Sequence, residues 1–339
     1  MKKVLVTGVS GFLASRTTIQ LIDAGYEVLG SVRNMTKGDA VKKLIEAETS
    51  GPGKLTLVEA DLLDIDSWNR AVEGVDYVQH IASPFPEVMP KNDADIVVPA
   101  REGCLNVLKA AAQAGVKRVV LTSSTGAIGY GKNGNLRKST FTERDWTNTD
   151  DKRDTTAYFR SKTIAERAAW EFIDSNQSGM ELSVVCPGAI LGPVMYKDTS
   201  SSINIVLKTI DGSAPAIPPV GFDIVDVRDV ASLLIKAMEL PQAAGQRYIG
   251  AAGYLSFKEV ADHLRKQLPN RKIPKLVLPG WALRLFALTD KTVGPILIEI
   301  GAERKMNATK ARQELSWSPR KPEEAALATA KSLIALNLA

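Results

Sequence analysis

The chain has 339 residues, enough to bury a substantial core and to divide into two lobes rather than one. Its hydrophobic content of 45% and charged content of 24% are those of an ordinary globular protein. The net charge of +5 comes from Lys and Arg interspersed with Asp and Glu, which argues against a nucleic-acid partner.

Met1-Lys-Lys runs straight into an apolar strand, Val4-Leu5-Val6, which leaves no room for a signal peptide. No apolar run reaches membrane-spanning length, so a cytoplasmic protein with no membrane partner is expected. Phe12 to Ala24 reads as an amphipathic helix, Tyr26 to Val32 as a second strand and Asp39 to Glu48 as a second helix. Leu55 to Glu59 is the third strand, followed by a helix around Trp68 to Val72. Val75 to Ile81 is the fourth strand and carries His80, which reads as a structural histidine. A long helical pattern covers Val97 to Ala114, and Arg118 to Thr122 is the fifth strand. A connection rich in Gly, Asn, Thr and Asp follows, from Gly126 to Thr155. Ala157 to Ser175 is a helix and Leu182 to Cys186 another strand. Strand and helix alternating in this way predict a parallel sheet.

After Cys186 the pattern changes. Pro187, Gly188, Gly192 and Pro193 interrupt regular structure, and Thr199 to Gly221 is rich in Ser and Pro. Ile224 to Asp229 returns to a strand, with a helix from Val230. The expected division puts residues 1–186 and about 223–252 in the first lobe. Residues 187–222 and 253–339 then form a smaller, mostly helical second lobe. Cys104 and Cys186 sit in apolar runs without CxxC spacing, and neither His80 nor His263 has a partner at ligand spacing. Buried free thiols and no metal are expected.

Three segments carry chemistry. Thr7-Gly8-Val9-Ser10-Gly11-Phe12-Leu13-Ala14 joins the first strand to the first helix. In that setting Gly8 permits a tight turn, Gly11 lets phosphates approach the backbone, and Ala14 allows close helix packing. The end of the second strand, Ser31-Val32-Arg33-Asn34, has no carboxylate to hold ribose hydroxyls. It offers a guanidinium suited to a phosphate, with Lys37 close by, which favours NADPH over NADH. Finally, Tyr158 and Lys162 lie four residues apart, on one face of a helix. An ammonium beside a phenol is expected to lower a pKa that is normally about 10. That would give a proton donor and acceptor for the alkoxide formed in carbonyl reduction.

With Leu121-Thr122-Ser123-Ser124 closing an apolar run between them, these segments in this order resemble the extended short-chain dehydrogenase/reductase superfamily. The resemblance implies an α/β fold: a Rossmann-type doubly wound parallel sheet with a smaller, mostly helical C-terminal substrate lobe. It implies Tyr158 as proton donor, Lys162 as its pKa-lowering partner and ribose contact, and Ser124 as the hydroxyl holding the substrate oxygen. Ser124 is preferred to Ser123 because the superfamily's serine is the second of the pair. In the family pattern Asp61-Leu62 lies along the adenine, and Ala82-Ser83-Pro84 lines the path to the nicotinamide. Pro187-Gly188-Ala189-Ile190 shapes the pocket around its carboxamide. An asparagine that many members carry on the helix before the serine strand is replaced here by Ala100.

Within the superfamily the chain is similar to the group of dihydroflavonol reductases, cinnamoyl-CoA reductases and microbial aldehyde/ketone reductases. Gly11-Phe12, Val32-Arg33 and Phe141-Thr-Glu-Arg-Asp-Trp146 carry this, with Tyr158 to Trp170, Val225 to Ala231 and Ala311 to Pro319. Dihydroflavonol reductases have an asparagine where this chain has Gly129. Cinnamoyl-CoA reductases have Asn-Trp-Tyr-Cys-Tyr-Gly-Lys where it has Thr156 to Lys162. The expected activity is therefore NADPH-dependent reduction of aldehydes or ketones of the microbial type. The alternatives are a nucleotide-sugar epimerase or dehydratase of the same fold and a non-catalytic NADP(H)-binding sensor. The epimerase pattern after the sixth strand is missing from Val185 to Pro193. A small-molecule carbonyl substrate would lie between the lobes, with Phe85, Ile128, Ile190, Met195 and Phe222 as apolar walls. The chain is expected to be a monomer or a homodimer.

Overall fold

A computed structural model describes residues 1–84, 90, 92–196, 201–288 and 291–339. In chain order the first elements are β1 (Lys3–Val6), α1 (Phe12–Asp23), β2 (Glu27–Val32), α2 (Met35–Glu48), β3 (Lys54–Glu59) and α3 (Ile65–Ala71). β4 (Tyr77–His80), α4 (Ala94–Gln113), β5 (Arg118–Thr122), β6 (Thr140–Phe141), α5 (Ala157–Ser175) and β7 (Glu181–Pro187) follow. Seven parallel strands form the main sheet in the order β3-β2-β1-β4-β5-β7, closed at the far edge by β10 (Arg247–Gly250). β5 is buried along its whole length, as a parallel strand covered on both faces must be. The strand order reverses between β1 and β4, which opens a crevice at their carboxyl ends.

The second lobe centres on three strands: β8 (Ala189–Leu191), β9 (Gly221–Asp226) and β11 (Gly253–Ser256). Around them lie α6 (Ser201–Ile210), α8 (Phe257–Gln267), α9 (Gly280–Phe286) and α11 (Pro322–Ala335). Its own apolar core includes Leu191, Ile203, Phe257, Leu264 and Ala325. α7 (Val227–Glu239) returns to the main sheet and packs on α1. The segment holding β12 (Lys305–Met306) and α10 (Thr309–Glu314) also returns. β12 pairs with β6, while Ala308, Ala311, Leu315 and Trp317 fill the first core. The first lobe therefore takes back residues that the sequence division put in the second. No helix among the described residues is long and apolar enough to cross a membrane.

At two of the element starts that differ from the sequence reading, a capping side chain explains the difference. α2 begins at Met35 rather than near Asp39, because the Asn34 side chain accepts from the Lys37 N–H at 3.0 Å. β9 ends at Asp226 rather than Asp229, because the Asp226 carboxylate accepts from the Arg228 N–H at 2.9 Å and opens α7.

Candidate active site

The crevice between β1 and β4 is held by one side chain. Thr7 Oγ1 accepts from the N–H groups of Ile81 and Ala82 at 3.0 and 2.9 Å, and lies 3.0 Å from His80 Nδ1. Thr7, which the sequence reading placed in the cofactor site, is 0% exposed, and its hydroxyl joins two strand ends. Gly8 adopts φ +69, and a Cβ there would stand 3.0 Å from the Ala82 Cβ. Its N–H donates to Ser31 Oγ at 3.0 Å. Gly11 opens α1 with no side-chain cap, leaving first-turn N–H groups for an anion, and Ser10 and Gly11 are exposed. Phe12 is half-buried and Leu13 belongs to the core.

Arg33 is exposed at the end of β2, with Lys37 exposed in the first turn of α2. Asp61 is exposed, and its carboxylate accepts from the Leu63 N–H at 2.9 Å. Leu62 packs against Gly103 of α4. Ala82, Ser83 and Pro84 are half-buried, and Phe85 lies outside the described residues. The uncapped helix start, the exposed glycine turn and the exposed Arg33 fit a dinucleotide with a phosphate on its adenosine ribose.

Ser124 lies two residues past the end of β5. Its Oγ accepts from the Gly126 N–H at 3.0 Å, which fixes the side chain at the start of a short turn, Thr125–Ala127. The Ser124 hydroxyl lies close enough to the Tyr158 phenol to favour its ionised form. Lys162, one turn further along α5, has its Nζ 6.0 Å from the Tyr158 ring centroid and donates to the Thr122 carbonyl at 3.1 Å. Phe159 stacks on Tyr130 at 4.0 Å, with Gly126 leaving room for its ring.

The electrostatics differ from the sequence expectation. Burial pushes the Tyr158 phenol up to about 12, against a smaller lowering by the Ser124 hydroxyl. Burial also lowers Lys162 to about 8, with Cys104, Cys186 and Glu166 pulling the other way. Because the amine points at the Thr122 carbonyl, desolvation and not the ammonium governs the phenol here. Tyr158 therefore keeps its proton at neutral pH, the state a donor requires.

His80 is buried and lowered to about 3 by desolvation and by Lys162, so it is a neutral structural group. Cys104 and Cys186 are buried free thiols pushed up to about 12 by burial. No cluster of His, Cys, Asp or Glu among the described residues can hold a metal.

Below the serine strand lies a buried network that the sequence reading missed. Glu166 Oε2 accepts from Ser123 Oγ at 2.5 Å, and Glu166 Oε1 accepts from Arg247 Nε at 2.5 Å. The two charged side chains are 0% and 7% exposed. Arg247 also donates to the carbonyls of Glu143, Asp145 and Ala127 and stacks 3.9 Å from the Trp146 ring centroid. Ser123 is thereby turned away from the site that its neighbour Ser124 faces. The signal was present: 158, 162 and 166 recur at four-residue spacing along one face of α5.

Among the described residues, the apolar walls named from the sequence do not gather. Ile128 is 0% exposed and belongs to the first core. Phe222 packs on Phe257 at 5.7 Å in the second core. Met195 lies with Tyr196 against Phe12 and Arg16 of α1, where the Tyr196 hydroxyl donates to the Ser10 carbonyl. Pro187 is buried at the end of β7, and Ile190 is half-buried on the first core. Gly188 and Ala189 are half-buried between them.

The model of the NAD dependent epimerase/dehydratase family matches residues 4–250. Cinnamoyl-CoA reductase 1 of Petunia hybrida is 36% identical over 274 residues, covering 80% of this chain and 79% of its own. Tetraketide alpha-pyrone reductase 1 of Arabidopsis thaliana is 36% identical over 276 residues, covering 80% of this chain and 83% of its own. Yeast methylglyoxal/isovaleraldehyde reductase Gre2, solved in complex with NADPH, superposes with a TM-score of 0.80 at 27% identity, covering 99% of both chains. With its sheet order and its glycine turn, the chain belongs to the NAD-dependent epimerase/dehydratase family, the extended short-chain dehydrogenases/reductases, and is an oxidoreductase of that family.

Proposed function

We propose that this protein reduces aldehydes or ketones to alcohols with NADPH, in the manner of a microbial-type carbonyl reductase. The observation that carries the reading is the convergence of Ser124 and the Tyr158 phenol, with Lys162 one helical turn away. Gly8, Ser10, Gly11, Phe12 and Leu13 would surround the pyrophosphate, and Arg33 and Lys37 the ribose phosphate. Asp61 and Leu62 would border the adenine. Ala82, Ser83 and Pro84, with Pro187, Gly188, Ala189 and Ile190, would enclose the nicotinamide. When bound, NADPH supplies the hydride to the carbonyl carbon.

The protein's own groups handle the oxygen. Ser124 donates a hydrogen bond to the carbonyl oxygen and holds it against Tyr158. The Tyr158 hydroxyl passes its proton to that oxygen as negative charge develops there, so one hydride and one proton add across the C=O bond. Lys162 stabilises the phenolate left behind. The relatives named above are reductases, which supports this direction of reaction.

The test is consumption of NADPH and NADH with aromatic and aliphatic aldehydes, ketones and β-keto esters. Turnover preferring NADPH is expected; cofactor binding without turnover on any of them would favour an epimerase or a sensor. Arg33→Ser is expected to reduce the NADPH/NADH ratio of kcat/KM about 10–100-fold, the equivalent of one charge-assisted phosphate contact. An unchanged ratio would remove Arg33 from the cofactor site.

A further inference from the structure

Asp223 is a buried carboxylate that the catalytic arrangement leaves unused. It lies in β9, whose side chains alternate between the two cores: Phe222 and Ile224 pack into the second and Val225 into the first. Asp223 shares the Val225 face, so it points out of the second lobe toward the first. The same alternation turns Phe222 away from the space between the lobes.

The register places this carboxylate near the chemistry. Ala189 pairs with Ile224, which sets Gly188 beside Asp223. A Cβ at Gly188 would come within 3.4 Å of the Asp223 Cβ and 2.4 Å of its backbone oxygen. On the other side, Thr122 pairs with Val185, and the Ser123 N–H donates to the Val185 carbonyl. Continued by two residues, that pairing sets Ser124 beside Pro187. Ser124 and Asp223 thus stand beside consecutive residues of one backbone segment, Pro187 and Gly188. A small carbonyl compound bound against that segment can therefore meet both side chains.

The carboxylate is only half engaged. Asp223 is 5% exposed, and its Oδ2 accepts from the Met306 N–H at 2.9 Å. Its Oδ1 takes no hydrogen bond among the described residues. An acceptor left open in this way is available to a donor on a bound molecule. Burial raises the Asp223 carboxyl to about 7, with the Met306 N–H and Lys305 pulling it down.

We propose that Asp223 is a substrate-recognition residue that accepts a hydrogen bond from a hydroxyl group at the far end of the substrate, making hydroxy-substituted aldehydes and ketones the preferred class. This deepens the reductase reading above and rests on it.

The test compares para-(hydroxymethyl)benzaldehyde with para-ethylbenzaldehyde, which exchange a hydroxyl for a methyl at one end. Wild type is expected to favour the hydroxymethyl compound about tenfold in kcat/KM. Asp223→Leu is expected to abolish that preference. Asp223→Asn, which keeps an acceptor for the Met306 N–H, is expected to reduce it several-fold. A second readout needs no turnover: the thermal shift of the NADP+ complex with the two corresponding alcohols, larger for the diol in wild type only. If neither aldehyde is reduced but this Asp223-dependent shift persists, the reductase reading fails and the recognition site stands. If both variants keep the wild-type substrate ratio, or lower both substrates equally, with no Asp223-dependent shift, Asp223 serves only Met306 and the proposal is overturned.

Discussion

Tyr158→Phe is expected to lower kcat/KM for carbonyl reduction by about 10²–10⁴, the range for a positioned proton donor. The ring stays, so its contact with Phe159 and the fold of α5 persist, and cofactor affinity should be close to wild type. What disappears is the proton held beside Ser124 in a site where burial sets the phenol at about 12. Steady-state kinetics beside a fluorescence titration of NADPH would separate the two effects. Activity surviving in the variant would mean that another group protonates the alkoxide.

The pH profile follows from the same groups. Tyr158 keeps its proton throughout the neutral range, so it gives no limb there. Lys162, lowered to about 8, carries its charge below that value and loses it above. Reduction is therefore expected to be level on the acid side and to fall as pH rises through about 8. A profile flat to well above that value would mean that the Lys162 charge does not enter the rate.

Glu166→Ala is expected to destabilise the fold by about 3–5 kcal/mol, because it strands a buried guanidinium. Arg247 is 7% exposed and has Glu166 as its carboxylate partner. Ser123 and Cys186 lose their acceptor in the same change. The three carbonyls that Arg247 holds belong to the connection after β5, so that connection should loosen and expose the site from below. Replacing both partners, Glu166→Leu with Arg247→Met, should recover much of the loss, since an apolar pair needs no counter-charge. Denaturant unfolding of the two single variants and the double variant gives the coupling energy directly. A single-variant loss below about 1 kcal/mol would show that water reaches the pair.

Much of this molecule can be read from local chemistry. The strands of the first half are short apolar runs, and the turns between them carry glycine where a positive φ or a close approach is needed, as at Gly8. The glycine turn, the Ser-Ser pair and the Tyr/Lys spacing are each contained within a few residues, so no folding is needed to recognise them. The position of Arg33 is legible for the same reason, since it follows the second strand directly. Element starts were less so, because a cap such as Asn34 or Asp226 acts through one side-chain bond that periodicity does not register.

The rest was decided by residues far apart in sequence. Whether Lys162 lowers the phenol depends on where its amine points, and the Thr122 carbonyl, at the end of β5, takes it. Thr7 reads as part of a phosphate loop until its hydroxyl is found between two strand ends. Phe222 and Asp223 are adjacent letters with opposite fates, because a strand shared by two cores sends alternate side chains to each. Glu166 and Arg247 are separated by 81 residues, and only the packing of β10 beside β7 makes them a pair. Composition and spacing determined the fold and singled out the candidate reacting groups. Burial and strand register, which exist only once the chain has folded, decided their ionisation, their orientation and what stands across the cleft from them.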